Sequence, residues 1–428
     1  MSSCGLEFLP VISLADFTDF SQEDYFAVGT APGAGEKPWD YYAIFDGHAG
    51  WQTAWYLQHS MIPMLSLHLG KLSSTSTSSI IHSAIKEAFV KQDTAIMEEA
   101  RNAANWLPAA NPSAIFSLIP ALSGSCALVA AFDRESGKLH VANVGDSRAV
   151  LGRWDPISQR YVAKPLSVDQ TGFNESEVSR IKAEHPGEDD ILDPKTGRLL
   201  GLMVTRAFGD HRWKMDNELI KKIQAKFWGS GPRPQSKTPP YLTAEPEVME
   251  VDIVGVDPRD RNVTTKSDFM IMASDGLWDH ISSEHAVECV QRWMEAGDWG
   301  ARKVSENPHL VPADYSRPMP DPEPGVEYDA ETGTPVSWKV APEYFSIEDD
   351  NAAACLARNA LGGNRIGLVQ GLLTAYNLPG SLSRNVLDDM TIIVVFFNKA
   401  DPEIQANIDK QKKKSSWPSI PSFGKKEG

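Results

Sequence analysis

The chain has 428 residues, 42% of them hydrophobic, and a formal net charge of −16. That is ample apolar material for a large core, and the acidity argues against nucleic acid as the main partner, since a polyanion is repelled unless a basic face is localised. No apolar run approaches the ~20 residues needed to cross a membrane, and four scattered cysteines (Cys4, Cys126, Cys289, Cys355) without a CxxC pair speak against a structural zinc site or a disulfide framework and for a reducing compartment.

Residues 1–20 read as a lead-in. No Lys or Arg precedes Lys37, and Glu7, Asp16 and Asp19 fit neither a secretory signal nor an Arg-rich presequence. The Met-Ser-Ser start lacks the glycine that myristoylation needs. Tyr25–Thr30 and Tyr41–Phe45 are rich in aromatic and branched residues and read as strands, with a Gly/Pro loop over Ala31–Pro38 between them. Trp51–Leu69 and Ile80–Ala100 carry apolar residues at helical spacing, joined by the Ser/Thr-rich Ser73–Ser79. Residues 102–122 read as a loop insertion.

An all-β stretch follows, with short strands at Ala127–Phe132, Leu139–Val144 and Ala149–Arg153; Glu135–Lys138 suits a hairpin connection. Glu175–Glu184 reads as a helix with Asn174 as its N-cap. Residues 211–246 form a second insertion, irregular over 229–246 where Gly and Pro are frequent. Val248–Val254 and Phe269–Ala273 read as strands and Ser282–Ala296 as a helix. Residues 297–346 are Pro-rich and acidic, a surface excursion with partly disordered character. Ile347–Leu361 and Ile366–Tyr376 read as helices and Met390–Phe397 as an apolar strand. Residues 399–428 form a basic tail expected to be disordered. Strands grouped together with helices on either side predict α+β layers rather than βαβ alternation, in one large domain over 21–398.

Asp is disfavoured inside strands, yet apolar strands here run directly into or out of acids. Phe45 is followed by Asp46-Gly47-His48, Val144 by Gly145-Asp146, and Ala273 by Ser274-Asp275-Gly276; Asp388-Asp389 opens the last strand. The end of one antiparallel strand lies beside the start of the next, so these carboxylates can gather at one rim. Packed carboxylates repel, and a hard divalent cation such as Mg²⁺ or Mn²⁺ relieves that. Two such ions suit hydrolysis at phosphorus, and His48 is placed to protonate a leaving alkoxide. Each Asp-Gly is by itself an ordinary turn; only the combination carries the inference.

In sequence order, Glu23-Asp24, Asp46-Gly47-His48-Ala49-Gly50, Val141 to Arg148 (VANVGDSR), Thr205 to Asp210 (TRAFGD), Ser274 to Asp279 (SDGLWD) and Asp388-Asp389-Met390-Thr391 resemble the motif set of the type 2C metal-dependent protein phosphatases over roughly residues 20–398. The resemblance implies a layered sandwich of two antiparallel sheets flanked by helices. It also implies hydrolysis of phosphoserine and phosphothreonine in proteins. On that resemblance Asp46 is expected to bridge two metals, with the Gly47 carbonyl on one of them and Asp275 and Asp388 on the other. Glu23 acts through water with Asp24 beside it, and His48 is the general acid. Asp146 and Asp279, with Asp275, resemble a weaker third metal site. Many members carry a phosphate-contacting arginine four residues before the Glu23 position, where this chain has Asp19. The phosphate contact is therefore unassigned, with Arg148 and Arg206 as candidates.

Glu184-His185-Pro186, Arg198 to Leu202 and Thr238 to Glu247 further resemble the catalytic subunits of pyruvate dehydrogenase phosphatases. That branch works in the mitochondrial matrix and implies the pyruvate dehydrogenase complex as substrate. The chain shows no presequence, so either the sequence starts late or the protein works elsewhere, with the cytoplasm as the alternative. Two other functions stay open: a catalytically inactive scaffold of the same fold, and a dinuclear metal hydrolase of small phosphoesters. The sequence does not assign an oligomeric state.

Overall fold

The computed structural model describes residues 8–17, 23–109, 111–227, 229–256, 265–296, 324–328, 335–375 and 388–399. Two five-stranded antiparallel sheets pack face to face. One has the order Phe8–Phe17, Met390–Lys399, Phe269–Ala273, Arg148–Asp155, Arg160–Pro165; the other has Glu247–Asp252, Lys138–Val144, Ala127–Asp133, Pro38–Phe45, Tyr25–Pro32. The inner faces meet through Tyr42, Ile44, Leu128, Phe132 and Val141 of one sheet and Leu151, Met270, Met272, Ile393, Val395 and Phe397 of the other. Fully burying such side chains contributes roughly 1.5–3 kcal/mol each.

Alternation explains the layers. Tyr41, Ala43 and Phe45 point outward from the same strand that sends Tyr42 and Ile44 inward, and they pack under helices Gln52–Leu69, Ser78–Trp106 and Pro112–Leu122. On the far side Phe269, Ile271, Ile392 and Val394 pack under Ser283–Glu295, Ala352–Ala360 and Ile366–Ala375. This is the α+β sandwich that the sequence predicts.

Several expectations change in detail. Within 102–122 there are helices where a loop is expected. The 78–106 helix continues to Trp106 because Ala103 and Ala104 are buried, and Lys226 caps it by donating to the Ala104 carbonyl at 3.1 Å. Pro112–Leu122 begins at Asn111, whose side chain accepts from the Ser113 N–H at 2.9 Å. The 211–246 insertion contains helices His211–Lys214 and Asn217–Phe227, the second driven by Leu219, Ile220 and Ile223 on one buried face. Asn174 does cap Glu175–Glu184.

The helix expected from Ile347 starts later, at Ala352, because Asn351 accepts from the Ala353 and Ala354 N–H groups and so fixes the start. Part of the expected lead-in is a strand: Phe8–Phe17 pairs along the whole of Met390–Lys399. Arg160–Pro165 is a strand that the sequence reading does not include. Of the 297–346 excursion, Val326–Tyr328 and Pro335–Trp338 form a hairpin; most of the rest, and the tail beyond Lys399, lies outside the described residues.

Candidate active site

Strand register brings the acids to one rim. In one sheet Ile44 pairs with Leu128, and Val144 pairs with Ala127, so the 38–45 and 138–144 strands end together. Asp46 and Asp146 follow those ends directly. In the other sheet Ala273 pairs with both Ile392 and Arg148. The 269–273 strand therefore ends, just before Asp275, where the last strand begins, just after Asp388. Gly145 to Ser147 connects the two sheets at this same rim. Two glycines allow close approach: a Cβ on Gly47 would collide with the Glu23 carbonyl, and one on Gly276 with the Asp389 carbonyl. The Glu23 N–H donates to Asp389 Oδ2 at 2.8 Å, which ties the 23–24 segment to the last strand.

The electrostatics show that the carboxylates share one site. Burial, then Asp275, Asp24, Asp146 and Asp388, push the Asp46 carboxyl well above its ordinary range. Burial, then Asp146, Asp388, Asp279 and Asp24, do the same to Asp275. Asp24 is raised by burial, with Asp389 and Asp388 adding and the Ser274 and Thr391 hydroxyls opposing. Burial raises Asp146 to about 6, with Asp169 adding. Asp279, at the exposed edge, is raised by partial burial and by Asp388. Asp46, Asp275, Asp388, Asp146, Asp279 and Asp24 are therefore together, with Glu23 beside them.

Such a donor set fits hard divalent cations: it is anionic, all-oxygen and strained by its own repulsion. Cys126 sits within the same cluster, donating to Asp146 Oδ1 at 3.4 Å. Burial, then Asp146 and Asp46, drive its thiol far up.

His48 is held by a three-stranded miniature sheet in which Gly124–Ser125 pairs with Gly47–His48 on one side and Phe208–Gly209 on the other. This brings His48 Nε2 to 2.6 Å from Asp210 Oδ2. Burial lowers the imidazole pKa, but the charge and hydrogen bond of Asp210, aided by Asp146 and Glu23, outweigh it and leave His48 raised. Gly124 must be glycine, because a Cβ there would overlap both His48 Nε2 and Asp210 Oδ2. Sequence reasoning names the segment holding Asp210 yet gives that residue no role, and it passes over Gly124 and Asp169.

Neither candidate for the phosphate contact has an idle guanidinium. Arg148 is paired with Asp169 through Nε at 3.0 Å and Nη2 at 2.5 Å. Arg206 is paired with the buried Glu177 through Nη2 at 2.6 Å. Asp19 lies outside the described residues. Two of the three branch-like segments meet: His185 Nδ1 lies 2.9 Å from Thr238 Oγ1, and its ring lies 4.4 Å from that of Tyr241 with the planes tilted by 33°.

The protein phosphatase 2C family model matches residues 15–309. A protein phosphatase 2C homolog of Schizosaccharomyces pombe is 37% identical over 85% of this chain and 74% of its own length. The mitochondrial [pyruvate dehydrogenase [acetyl-transferring]]-phosphatase 1 of Saccharomyces cerevisiae is 34% identical over 87% of this chain and 64% of its own length. The corresponding human phosphatase 2 is 34% identical over 66% of this chain and 49% of its own length. The chain thus spans about half to two thirds of these two pyruvate dehydrogenase phosphatases.

Proposed function

The chain belongs to the protein phosphatase 2C family, and from that premise we propose that it hydrolyses phosphoserine and phosphothreonine in proteins, using divalent cations held at the carboxylate rim. The observation that carries this reading is the convergence of carboxylates on one spot: Asp275, Asp24, Asp146 and Asp388 all raise the Asp46 pKa, and Asp146, Asp388 and Asp24 raise that of Asp275. Asp46, Asp275, Asp388 and the Gly47 carbonyl hold two Mg²⁺ or Mn²⁺ ions, with Glu23 and Asp24 beside them. Asp146 and Asp279 serve a weaker third position with Asp275. When bound, such ions lower the pKa of water and offset phosphate charge.

The chain's own groups handle the proton. His48, whose protonated form is favoured by Asp210 at 2.6 Å, delivers it to the departing serine or threonine oxygen. Asp210 fixes the imidazole's orientation and stabilises its charge. Arg148 and Arg206 are engaged by carboxylates, so the phosphate charge would be met at the cation site held by Asp46, Asp275 and Asp388.

The names of the Saccharomyces cerevisiae and human relatives support the pyruvate dehydrogenase complex as substrate and the mitochondrial matrix as the site of action. The test is phosphate release from a phosphothreonine peptide and from phosphorylated pyruvate dehydrogenase, each with EDTA, Mg²⁺ or Mn²⁺. Release from both with either metal, and none in EDTA, is expected. No release by a folded sample overturns the phosphatase reading; release from the peptide alone overturns the substrate.

A further inference from the structure

A second cluster of metal-binding side chains lies apart from the carboxylate rim. His140 on the 138–144 strand is the direct cross-strand partner of Glu250 on the 247–252 edge strand. His82 reaches them from the start of the 78–106 helix. Three atoms form a closed triangle: His140 Nδ1 to His82 Nε2 is 3.4 Å, His140 Nδ1 to Glu250 Oε2 is 3.4 Å, and His82 Nε2 to Glu250 Oε2 is 3.7 Å. We propose that His82, His140 and Glu250 form a separate binding site for a zinc-class transition-metal ion, tying the start of this helix to the edge of the sheet.

The geometry fits the ion. Bonds of about 2.0–2.2 Å in a tetrahedron place ligand atoms roughly 3.3–3.6 Å apart, close to the triangle observed. Two imidazoles and one carboxylate select zinc, cobalt or copper over Mg²⁺, and three protein ligands leave a fourth position for water. The side chains of His82 and Glu250 are 26% and 17% exposed, so that position opens toward solvent, while His140 is buried at 1%.

The surroundings orient the ligands. Trp39 stacks on His140 with ring centroids 5.4 Å apart and planes 7° from parallel, which fixes the ring. Lys138 Nζ holds Glu250 Oε1 at 2.6 Å and also pairs with Asp252, leaving Oε2 turned to the histidines. Glu250 Oε2 and His140 Nε2 are buried and have no hydrogen-bond partner among the described residues. The polar contacts of the His140 ring are therefore all on its Nδ1 side. Burial disfavours the charged form of both rings.

The test uses the full chain, stripped with chelator and titrated with Co²⁺, because tetrahedral cobalt with nitrogen ligands absorbs visible light far more strongly than octahedral cobalt on carboxylates. One equivalent should produce the tetrahedral band, Zn²⁺ should bleach it, and Zn²⁺ should raise the unfolding temperature by several degrees. His82→Gln, at a partly exposed position, and Glu250→Gln should both lose the band, whereas Asp46→Asn should keep it. No band in the folded parent overturns the proposal. A band that survives His82→Gln but is lost in Asp46→Asn would also overturn it, by placing the ion at the carboxylate rim.

Discussion

Replacing Glu177 by Gln tests whether Arg206 belongs to the fold or to phosphate binding. Glu177 is buried, with its side chain 1% exposed. It accepts from Arg206 Nη2 at 2.6 Å, Arg180 Nη2 at 2.8 Å and Thr205 Oγ1 at 2.7 Å. Burial alone would raise its pKa, but the hydrogen bonds and charges of Arg206 and Arg180 reverse this and hold it at about 2, against an ordinary 4.5. At about 1.4 kcal/mol per pH unit, that difference is worth about 3 kcal/mol.

A depressed folded pKa stabilises above the unfolded value and loses that stabilisation as pH falls through the folded one. The contribution is therefore complete at neutral pH and fades between 4.5 and about 2. Glu177→Gln also takes from the Arg206 guanidinium its buried counter-charge, leaving it the Glu245 carbonyl at 2.7 Å and the half-exposed Glu247 at 3.4 Å, so in urea unfolding at neutral pH the variant should be less stable by about 3–5 kcal/mol. The gap should narrow as the pH is lowered from 4.5 toward 2. A gap below ~1 kcal/mol, or one independent of pH, refutes the reasoning. In variant protein that remains folded, the KM for a phosphopeptide should be unchanged; a large rise would make Arg206 a substrate contact.

Asp210→Asn should lower kcat on a phosphopeptide by roughly 10²–10³, yet cost far less on an aryl phosphate whose leaving group needs no proton; equal losses on both would remove His48 from the acid role. Gly124→Ala forces His48 and Asp210 apart and should reproduce that kinetic signature with Mn²⁺ affinity intact, as calorimetry would show. Deleting residues 1–17 strips the apolar 390–399 strand of one of its two pairing partners and leaves it as a sheet edge, which should lower the unfolding midpoint and solubility; an unchanged midpoint would show that the Phe8–Phe17 strand contributes nothing.

Much of this architecture is legible in the chain because its central strands announce themselves. Phe269–Ala273 is wholly apolar and buried, and the acids follow or precede such strands at the point where the chain must leave the sheet. The Phe8–Phe17 strand is harder to see, because Pro10, Ser13 and Asp16 interrupt its apolar pattern and its partner lies at the far end of the sequence. The helices in 102–122 are signalled by Asn111-Pro112, a start sequence easily taken for a turn. Asp210 cannot be assigned from local sequence, because its role exists only once Gly124–Ser125 is inserted between His48 and Gly209. The His82, His140 and Glu250 triangle joins a helix to two strands 58 and 168 residues beyond His82, a spacing that matches no metal motif.

The claim that one rim of mutually repelling carboxylates exists to hold divalent cations is tested most directly by thermal unfolding of the parent and Asp275→Asn, each in EDTA and in Mn²⁺. Removing one charge relieves repulsion, so in EDTA the variant should unfold at a higher temperature than the parent. Saturating Mn²⁺ should reverse the order by stabilising the parent far more. A variant that is less stable in EDTA, with Mn²⁺ shifting neither protein, would contradict the account.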